Sequence, residues 1–467
     1  MAIQFYNTYS RELEPFVPLD PTGKGVKIYT CGPTVYSFAH IGNLRSFLFE
    51  DLLQRHLEAR GYQVQRVMNL TDVDDKTIRD SRAAKLPLQE FTQQFVRAFF
   101  SDCEALRIKR ADAYPAATEP ANIQRMVEMI DLLLRKDIAY QAEDGSVYFR
   151  INRFPDYGKL AHLNLDELRP SGRIQADDYE KESVGDFALW KAWDEKDGSV
   201  GWDTPWGRGR PGWHIECSAM AMRLLGEEID IHCGGVDNIF PHHEAEIAQS
   251  ESCTGHKFVR YWLHGAHLLV DGQKMSKSLG NFYTLRDLLD QGYTGRQVRY
   301  ALLRVNYRLP LNFTQDNLIE ARQSLLRIDE WLQRLRDLAG SVAADSEYAQ
   351  DLAERFLQAL DDDLNISAAL AEVFEEVRTT NRSLDARGIA PGEAAALLRE
   401  WDRINQVLQV QDDDVQIPAE VRGLLEIRAR ARHEKNWRES DALRDRIGSL
   451  GWMVKDTKEG QKVARQG

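Results

Sequence analysis

The sequence predicts an α/β protein: a parallel sheet interrupted by an insertion, then a helical bundle and a small basic C-terminal module. Three observations carry that reading. A β-branched run, Val26–Thr30, is followed by Leu44, Phe47, Leu48, Leu52, Leu53 and Leu57 at helical spacing, and then by "YQVQRVMNL" (Tyr62–Leu70). Strand, helix and strand within so short a span form a βαβ unit, whose crossover implies parallel pairing. Farther on, Leu318, Ala321, Leu325, Ile328, Leu332 and Leu335 alternate steps of three and four, the seam of a bundle helix. Finally, residues 421–467 hold 12 Lys/Arg against 7 Asp/Glu, although the whole chain carries a net charge of −13.

The elements follow in order. Gly61 is a plausible stop for the first helix. Residues 121–205 read as an insertion, helical over Ile123–Leu134 and then loop-rich with strand fragments such as "SVYFRI". The sheet pattern resumes at "EEIDIHCGG" (Glu227–Gly235), so residues 1–120 and 206–265 form the sheet domain. In "HLLVDGQKMSKS" the Asp271-Gly272 pair predicts a hairpin within a region spanning 266–315. A helical bundle is expected over 316–408, an acidic linker "QVQDDDVQIPAE" over 409–420, and the basic module over 421–467.

Composition narrows the class. Of 467 residues, 43% are hydrophobic and 28% charged, ordinary for a globular protein with a sizeable core. No apolar run approaches the ~18 residues of a membrane helix, and "MAIQFYNTYS" lacks a signal-peptide pattern, so no membrane and a cytoplasmic location are expected. Five sparse cysteines (Cys31, Cys103, Cys217, Cys233, Cys253) suit a reducing compartment and point to metal ligation or a reactive thiol rather than a disulfide framework. The acidic balance argues against indiscriminate nucleic-acid coating. The basic C-terminal stretch hints at a local nucleic-acid contact, although a solvated helix face explains it as simply.

Ligands of parallel sheets bind beyond the carboxyl ends of the strands. Cys31 and "TDVDDK" (Thr71–Lys76) fall there. "HIGN" (His40–Asn43) opens the first helix, where backbone N–H groups favour anions and Gly42 allows close approach. "KMSKS" (Lys274–Ser278) supplies two lysines on a turn. Alone, each has a bland explanation, a capping histidine and solvated lysines. A metal set is also discernible. "PGWHIECSAM" brings Cys217, and in "FPHHEAEIAQS" His242 and Glu246 stand four apart on one helical face. With Cys31 these are acceptable zinc ligands from three segments. Spacing alone does not choose among them and the rivals His232, Cys233, His243 and Glu244.

Taken together and in this order, "HIGN" and "KMSKS" resemble the signature of class I aminoacyl-tRNA synthetases, with Asn in place of the final His of "HIGH". The resemblance implies a Rossmann-like catalytic domain in which His40, Gly42, Asn43, Lys274 and Lys277 handle ATP, Lys277 meeting the departing pyrophosphate. "YTCGPTVY…AHIGN", "TDVDDK", "DFALWKAW…GRGRPGWHIECSAM", "FPHHEAEIAQS" and "KMSKSLGN" together resemble the cysteinyl-tRNA synthetase family across most of the chain. That implies one zinc ion per chain on Cys31, Cys217, His242 and Glu246, and substrate contacts at Gly32, Thr71, Trp213 and Asp237. It further implies L-cysteine, ATP with Mg2+, and tRNA(Cys) as partners, with a monomer expected. The bundle and basic module would bind tRNA, Trp437 and Trp452 being available for base stacking, although a place in an amphipathic core explains each as well. Two departures stand out: Cys233 where the family more often has a third glycine, and "EGQKVARQG", which lacks the usual aromatic.

The implied chemistry has a physical logic. Cysteine and serine are near-isosteres, and shape alone discriminates poorly between them. A metal that binds thiolate far better than hydroxyl is a single source for the roughly 10⁴–10⁵ selectivity such an enzyme needs. Two rivals remain. A cysteine ligase of the mycothiol pathway resembles the same catalytic half but lacks a full anticodon module. A non-catalytic tRNA-binding paralogue would not need both phosphate motifs and all four ligands.

Overall fold

The computed structural model describes residues 2–163, 185–276, 279–342, 351–412, 418–457 and 460–465. Strand Gly25–Thr30, helix Ile41–Ala59 and strand Gln63–Met68 form the expected βαβ unit, the two strands pairing in parallel from Gly25↔Gln63 to Thr30↔Met68. Strand Ile229–Gly235 joins the free edge of Gly25–Thr30, and Val259–Gly265 adds outside it, both in parallel. The chain therefore winds to one side of Gly25–Thr30 first and returns on the other. Between Gly25–Thr30 and Ile229–Gly235 the winding reverses, and at such a point the loops diverge and leave a crevice.

Helix Ile41–Ala59 covers the sheet. Leu44, Phe47, Leu48, Leu52, Leu53 and Leu57 are all buried, and Gly61, with φ +90°, turns the chain back. Polar groups on this helix are buried too. Asp51 meets Arg299 of helix Gly295–Leu303 at 2.6 Å, and both are fully buried. Such a pair is tolerated because each charge neutralises the other, and losing one partner typically costs about 3–5 kcal/mol.

The insertion carries helix Pro120–Arg135 and a five-stranded antiparallel sheet. Its spatial order is Ala139–Gln141, Val147–Phe149, Phe187–Ala192, Gly207–Pro211 and Trp202–Thr204. Val147, Phe149, Leu189 and Trp190 pack into one core with helix Trp213–Leu225, which brings the insertion against the crevice. The expected hairpin joins Leu268–Val270 to Gln273–Lys274 in antiparallel register. Asp271 and Gly272 have φ of +49° and +76°, the left-handed pair that a two-residue turn requires.

Helices Gln315–Ala339, Leu352–Asp361, Ile366–Asp385 and Pro391–Leu408 form the bundle. All six seam residues read from the sequence are buried, and Trp331 meets Trp401 edge-to-face. Their core is continuous with that of the parallel sheet, so the bundle is docked on the catalytic half. Helices Ala419–His433 and Trp437–Ser449 and the hairpin Trp452–Thr457/Gly460–Arg465 complete the chain. Of the two readings open for each tryptophan, Trp452 takes the core: it packs with Val421, Leu424, Ile447 and Val454, because a module this small needs its tryptophan for a core. Trp437 remains 55% exposed, with the Arg432 guanidinium over its ring. None of the described helices is long and apolar enough to cross a membrane.

Candidate active site and metal centre

Cys31 follows directly on strand Gly25–Thr30, and its N–H donates to the Cys233 carbonyl of the neighbouring strand (3.2 Å). Cys217 lies in the second turn of helix Trp213–Leu225. His242 is the last but one residue of an irregular turn, Ile239–His243, that feeds helix Glu244–Thr254, so His242 and Glu246 share a face and approach to 3.0 Å. Ligand atoms of Cys31, His242, His243 and Glu246 all lie within 4.8 Å of one another. The structure thus gathers Cys31, His242 and Glu246 of the sequence-derived set with His243, whose Nε2 is 3.3 Å from the Cys31 sulfur, while Cys217 stands beside Cys31 and His242 and outside that cluster of four.

The electrostatics of this pocket favour a cation. Burial opposes ionisation of Glu246, yet His232 and His242 hold it down at about 2. Burial likewise opposes a charge on His242, yet Glu246 and Cys217 lift it to about 10. The Cys217 thiol, also disfavoured by burial, is lowered to about 6 by its hydrogen bond to Cys31 and by His242. Cys31 moves the opposite way, raised by that same bond and by burial. Buried acidic groups thus flank His242. Glu246 Oε1 is fully buried and faces the ring nitrogens of His242 at 3.0 Å and His243 at 3.9 Å. Sulfur, imidazole and carboxylate donors converging on one buried point fit a borderline-soft divalent ion.

A shell of histidines aims these groups. His232 Nε2 lies 3.0 Å from Glu246 Oε2, and His214 Nδ1 lies 3.0 Å from His242 Nδ1, which leaves His242 Nε2 for the pocket. His243 Nδ1 meets His264 Nε2 at 2.8 Å, and His264 Nδ1 meets Thr8 Oγ1 at 2.7 Å. Burial pushes His214 and His264 down to about 3, so both are neutral links. The sequence reading did not single out His214, His264 or Thr8. The only signal was position: His214 beside the Trp213–Cys217 motif and His264 at a strand's carboxyl end. Glu216 was missed as well. It is fully buried beside Cys217 and Thr71, and burial holds its carboxyl well above the usual range.

Of the expected substrate contacts, Gly32 directly follows Cys31 beyond the inner strand Gly25–Thr30, and Thr71 lies beyond the carboxyl end of the neighbouring edge strand Gln63–Met68, bridged to Thr34. A Cβ on Gly32 would fall 1.8 Å from the Asn69 carbonyl oxygen, so only glycine fits. Trp213 stacks on the His242 ring at 4.2 Å and roofs the pocket, itself 42% exposed. Asp237 stands apart in an exposed turn, 3.5 Å from His267 Nδ1.

At the start of helix Ile41–Ala59, the Asn43 N–H donates to His40 Nδ1 (3.2 Å) and the His40 N–H donates to Asn43 Oδ1 (3.3 Å). Nδ1 is therefore the acceptor and Nε2 carries the proton of a ring that burial keeps neutral. The stretch that follows "KMSKS" is fastened to this helix start. Ile41 N–H donates to the Tyr283 carbonyl (2.9 Å), and Phe282 meets the His40 ring edge-on. The Met275 methyl lies 2.8 Å from where a Gly42 Cβ would stand, so the glycine admits a side chain of that segment. Lys274 is exposed at the end of its strand, and its carbonyl accepts from Asn281 Nδ2 (3.2 Å). Lys277 lies outside the described residues.

Residues 17–323 match the family model of the class I (C) tRNA synthetase catalytic domain. The chain belongs to the cysteine–tRNA ligase family. Residues 355–410 match the DALR domain and residues 414–463 the cysteinyl-tRNA ligase anticodon binding domain. The chain is similar to "Cysteine--tRNA ligase" of Chlamydia muridarum (strain MoPn / Nigg), 51% identical over 488 residues and covering 100% of both chains. The Protochlamydia amoebophila (strain UWE25) ligase is 49% identical over 475 residues, covering 100% of this chain and 98% of that one. In fold it is similar to the Mycobacterium tuberculosis methionyl-tRNA synthetase in complex with methionyl-adenylate. That match has TM-score 0.62 and 17% identity, covering 83% of this chain and 88% of the other. The ligase family's fold class, an α/β catalytic domain followed by helices, is the one the sequence predicts.

Proposed function

We propose that this chain activates L-cysteine with ATP and transfers it to the 3′ end of tRNA(Cys), selecting cysteine through a zinc ion on Cys31, Cys217, His242 and Glu246. Full-length similarity to cysteine–tRNA ligases supports the reaction. The observation that carries the selection mechanism is the convergence of two thiols, an imidazole and a carboxylate beside Gly32 and Thr71. Zinc bound there would take the substrate's thiolate and disfavour serine's harder hydroxyl.

The chain's own groups do the rest. Gly32, Thr71, Trp213 and Asp237 hold the amino acid, Trp213 roofing the ligands and excluding water. The cysteine carboxylate attacks the α-phosphorus, the bond to the β-phosphate bridging oxygen breaks, and pyrophosphate leaves. His40 Nε2–H, the Asn43 amide N–H groups, Lys274 and Lys277 donate to the triphosphate, with Mg2+ as its counter-ion and the Gly42 backbone in close approach. Preorganised donors of this kind stabilise the charge that develops in the transition state. The terminal ribose hydroxyl of the tRNA then attacks the adenylate carbonyl and releases AMP. The bundle and the basic module with exposed Trp437 contact the tRNA. We place the enzyme in the cytoplasm as a monomer, in keeping with its five free cysteines. A mycothiol-type ligase is disfavoured by the match of residues 414–463 to an anticodon binding domain.

Amino-acid-dependent pyrophosphate exchange tests the proposal. Cysteine supports exchange and serine does so at least roughly 10⁴-fold less well. Comparable rates with both would overturn selection through the metal.

A further inference from the structure

We propose that Asn69 is a positioning residue for the amino acid: its side-chain amide ties the Gly32 backbone to the Thr71 hydroxyl and so sets the direction in which Thr71 meets the substrate. Asn69 lies just beyond strand Gln63–Met68 and is only 2% exposed. Its Oδ1 accepts from the Gly32 N–H at 2.9 Å. A backbone N–H can only donate, so the orientation of the amide is determined, and Nδ2 must face the other way. There it donates to Thr71 Oγ1 at 3.1 Å. One lone pair of the hydroxyl is thereby spent, which leaves its second lone pair and its proton to other partners.

Thr71 does not need Asn69 to hold its backbone. Its N–H donates to the Pro33 carbonyl (3.1 Å), and its carbonyl accepts from the Val35 N–H (3.0 Å). With the main chain pinned on both sides, the freedom left to Thr71 is that of its side chain. The Asn69 amide restricts that freedom from one side, with the Glu216 carboxyl beside the same hydroxyl. The Asn69 carbonyl meanwhile abuts Gly32, where a Cβ would fall 1.8 Å away. One residue thus registers the ends of two neighbouring strands, and through them two proposed substrate contacts.

The inference rests on the reading of Gly32 and Thr71 as cysteine contacts, and the test separates the two. Cysteine-dependent pyrophosphate exchange is measured on the full chain for wild type, Thr71→Ala, Asn69→Ala, Asn69→Asp and the Asn69→Ala/Thr71→Ala double variant. Thr71→Ala and Asn69→Ala should each raise the KM for cysteine roughly tenfold, with the KM for ATP and the zinc content unchanged. The double variant should fall short of the product of the two single effects, because the Asn69 amide acts on the substrate partly through the Thr71 hydroxyl and its remaining arm holds only the Gly32 N–H. Asn69→Asp keeps the acceptor for Gly32 but loses the donor to Thr71, and should show the same rise. It decides the matter if the alanine variant does not fold. Thr71→Ala with a wild-type KM overturns the contact reading. An impaired Thr71→Ala beside Asn69 variants with wild-type KM, or additive losses in the double variant, overturns the role of Asn69 alone.

Discussion

The proposed metal pocket and the proposed phosphate clamp sit at the carboxyl end of the same sheet, yet they are built in opposite ways. In the pocket, Cys217, His242, His243 and Glu246 are fully or almost fully buried, and His214, His232 and His264 take up the ring nitrogens and the carboxylate oxygen facing away from the centre. In the clamp, His40 is half-buried, Asn43 and Lys274 are exposed, and the whole is fastened by a cap, a backbone hydrogen bond and ring contacts. The difference follows from what each site reads. Direct bonding to a substrate atom requires donors aimed in advance, and burial makes every unpaired donor costly. Charge stabilisation of a triphosphate acts over longer range and tolerates solvent, so fewer constraints suffice.

That contrast can be broken experimentally. The largest effect is expected for Cys217→Ser, which removes a soft ligand from the buried set. Zinc should fall from about one per chain to near zero, and cysteine-dependent exchange should drop roughly 10³-fold or more. Zinc retained in full would show that His243, already beside the Cys31 sulfur, completes the set instead. Next comes Lys277→Ala. Loss of a clamp donor should lower the exchange rate at saturating cysteine roughly 10²- to 10³-fold while the KM for cysteine and the zinc content stay put. A parallel loss of zinc would erase the separation between the two sites.

The smallest effect concerns Glu50, on the helix that runs from the clamp beneath the sheet. It is fully buried, and burial pushes its carboxyl up to about 8, with Arg66 pulling it partly back from an even higher value. A carboxyl raised from its ordinary 4.5 to about 8 favours the folded state fully below about 4.5, and that contribution is lost as pH rises through 8. Glu50→Gln is neutral throughout, so its Tm should gain on the wild type by a few degrees between pH 5 and 9, with zinc content unchanged. Superimposable Tm profiles would remove Glu50 from the pH response.

Much of the fold was legible locally. The Val26–Thr30 run, the apolar spacing from Leu44 to Leu57, the Asp271-Gly272 turn and the Leu318–Leu335 seam each express a backbone period or a turn preference within a few residues. The metal set was not legible from spacing. Cys31, Cys217 and His242 are far apart in the chain, and ligand chemistry alone left Cys233, His232, His243 and Glu244 as equals. Family resemblance chose among them, and the convergence of strand end, helix start and irregular turn shows how they come together. For Trp452 the sequence left base stacking and core burial equally open, and the module's core claimed it.

By itself, then, the chain's order of residues determined its periodic elements, its tight turn and the capped helix start at His40–Asn43, because those depend on neighbours within one or two turns. Only tertiary structure decided which sulfur meets which imidazole, which histidines stand behind them, and that Asn69 spans Gly32 and Thr71. Those contacts join separate strands and helices across the reversal in the sheet's winding, and no local pattern encodes a meeting of segments that the sheet alone brings together.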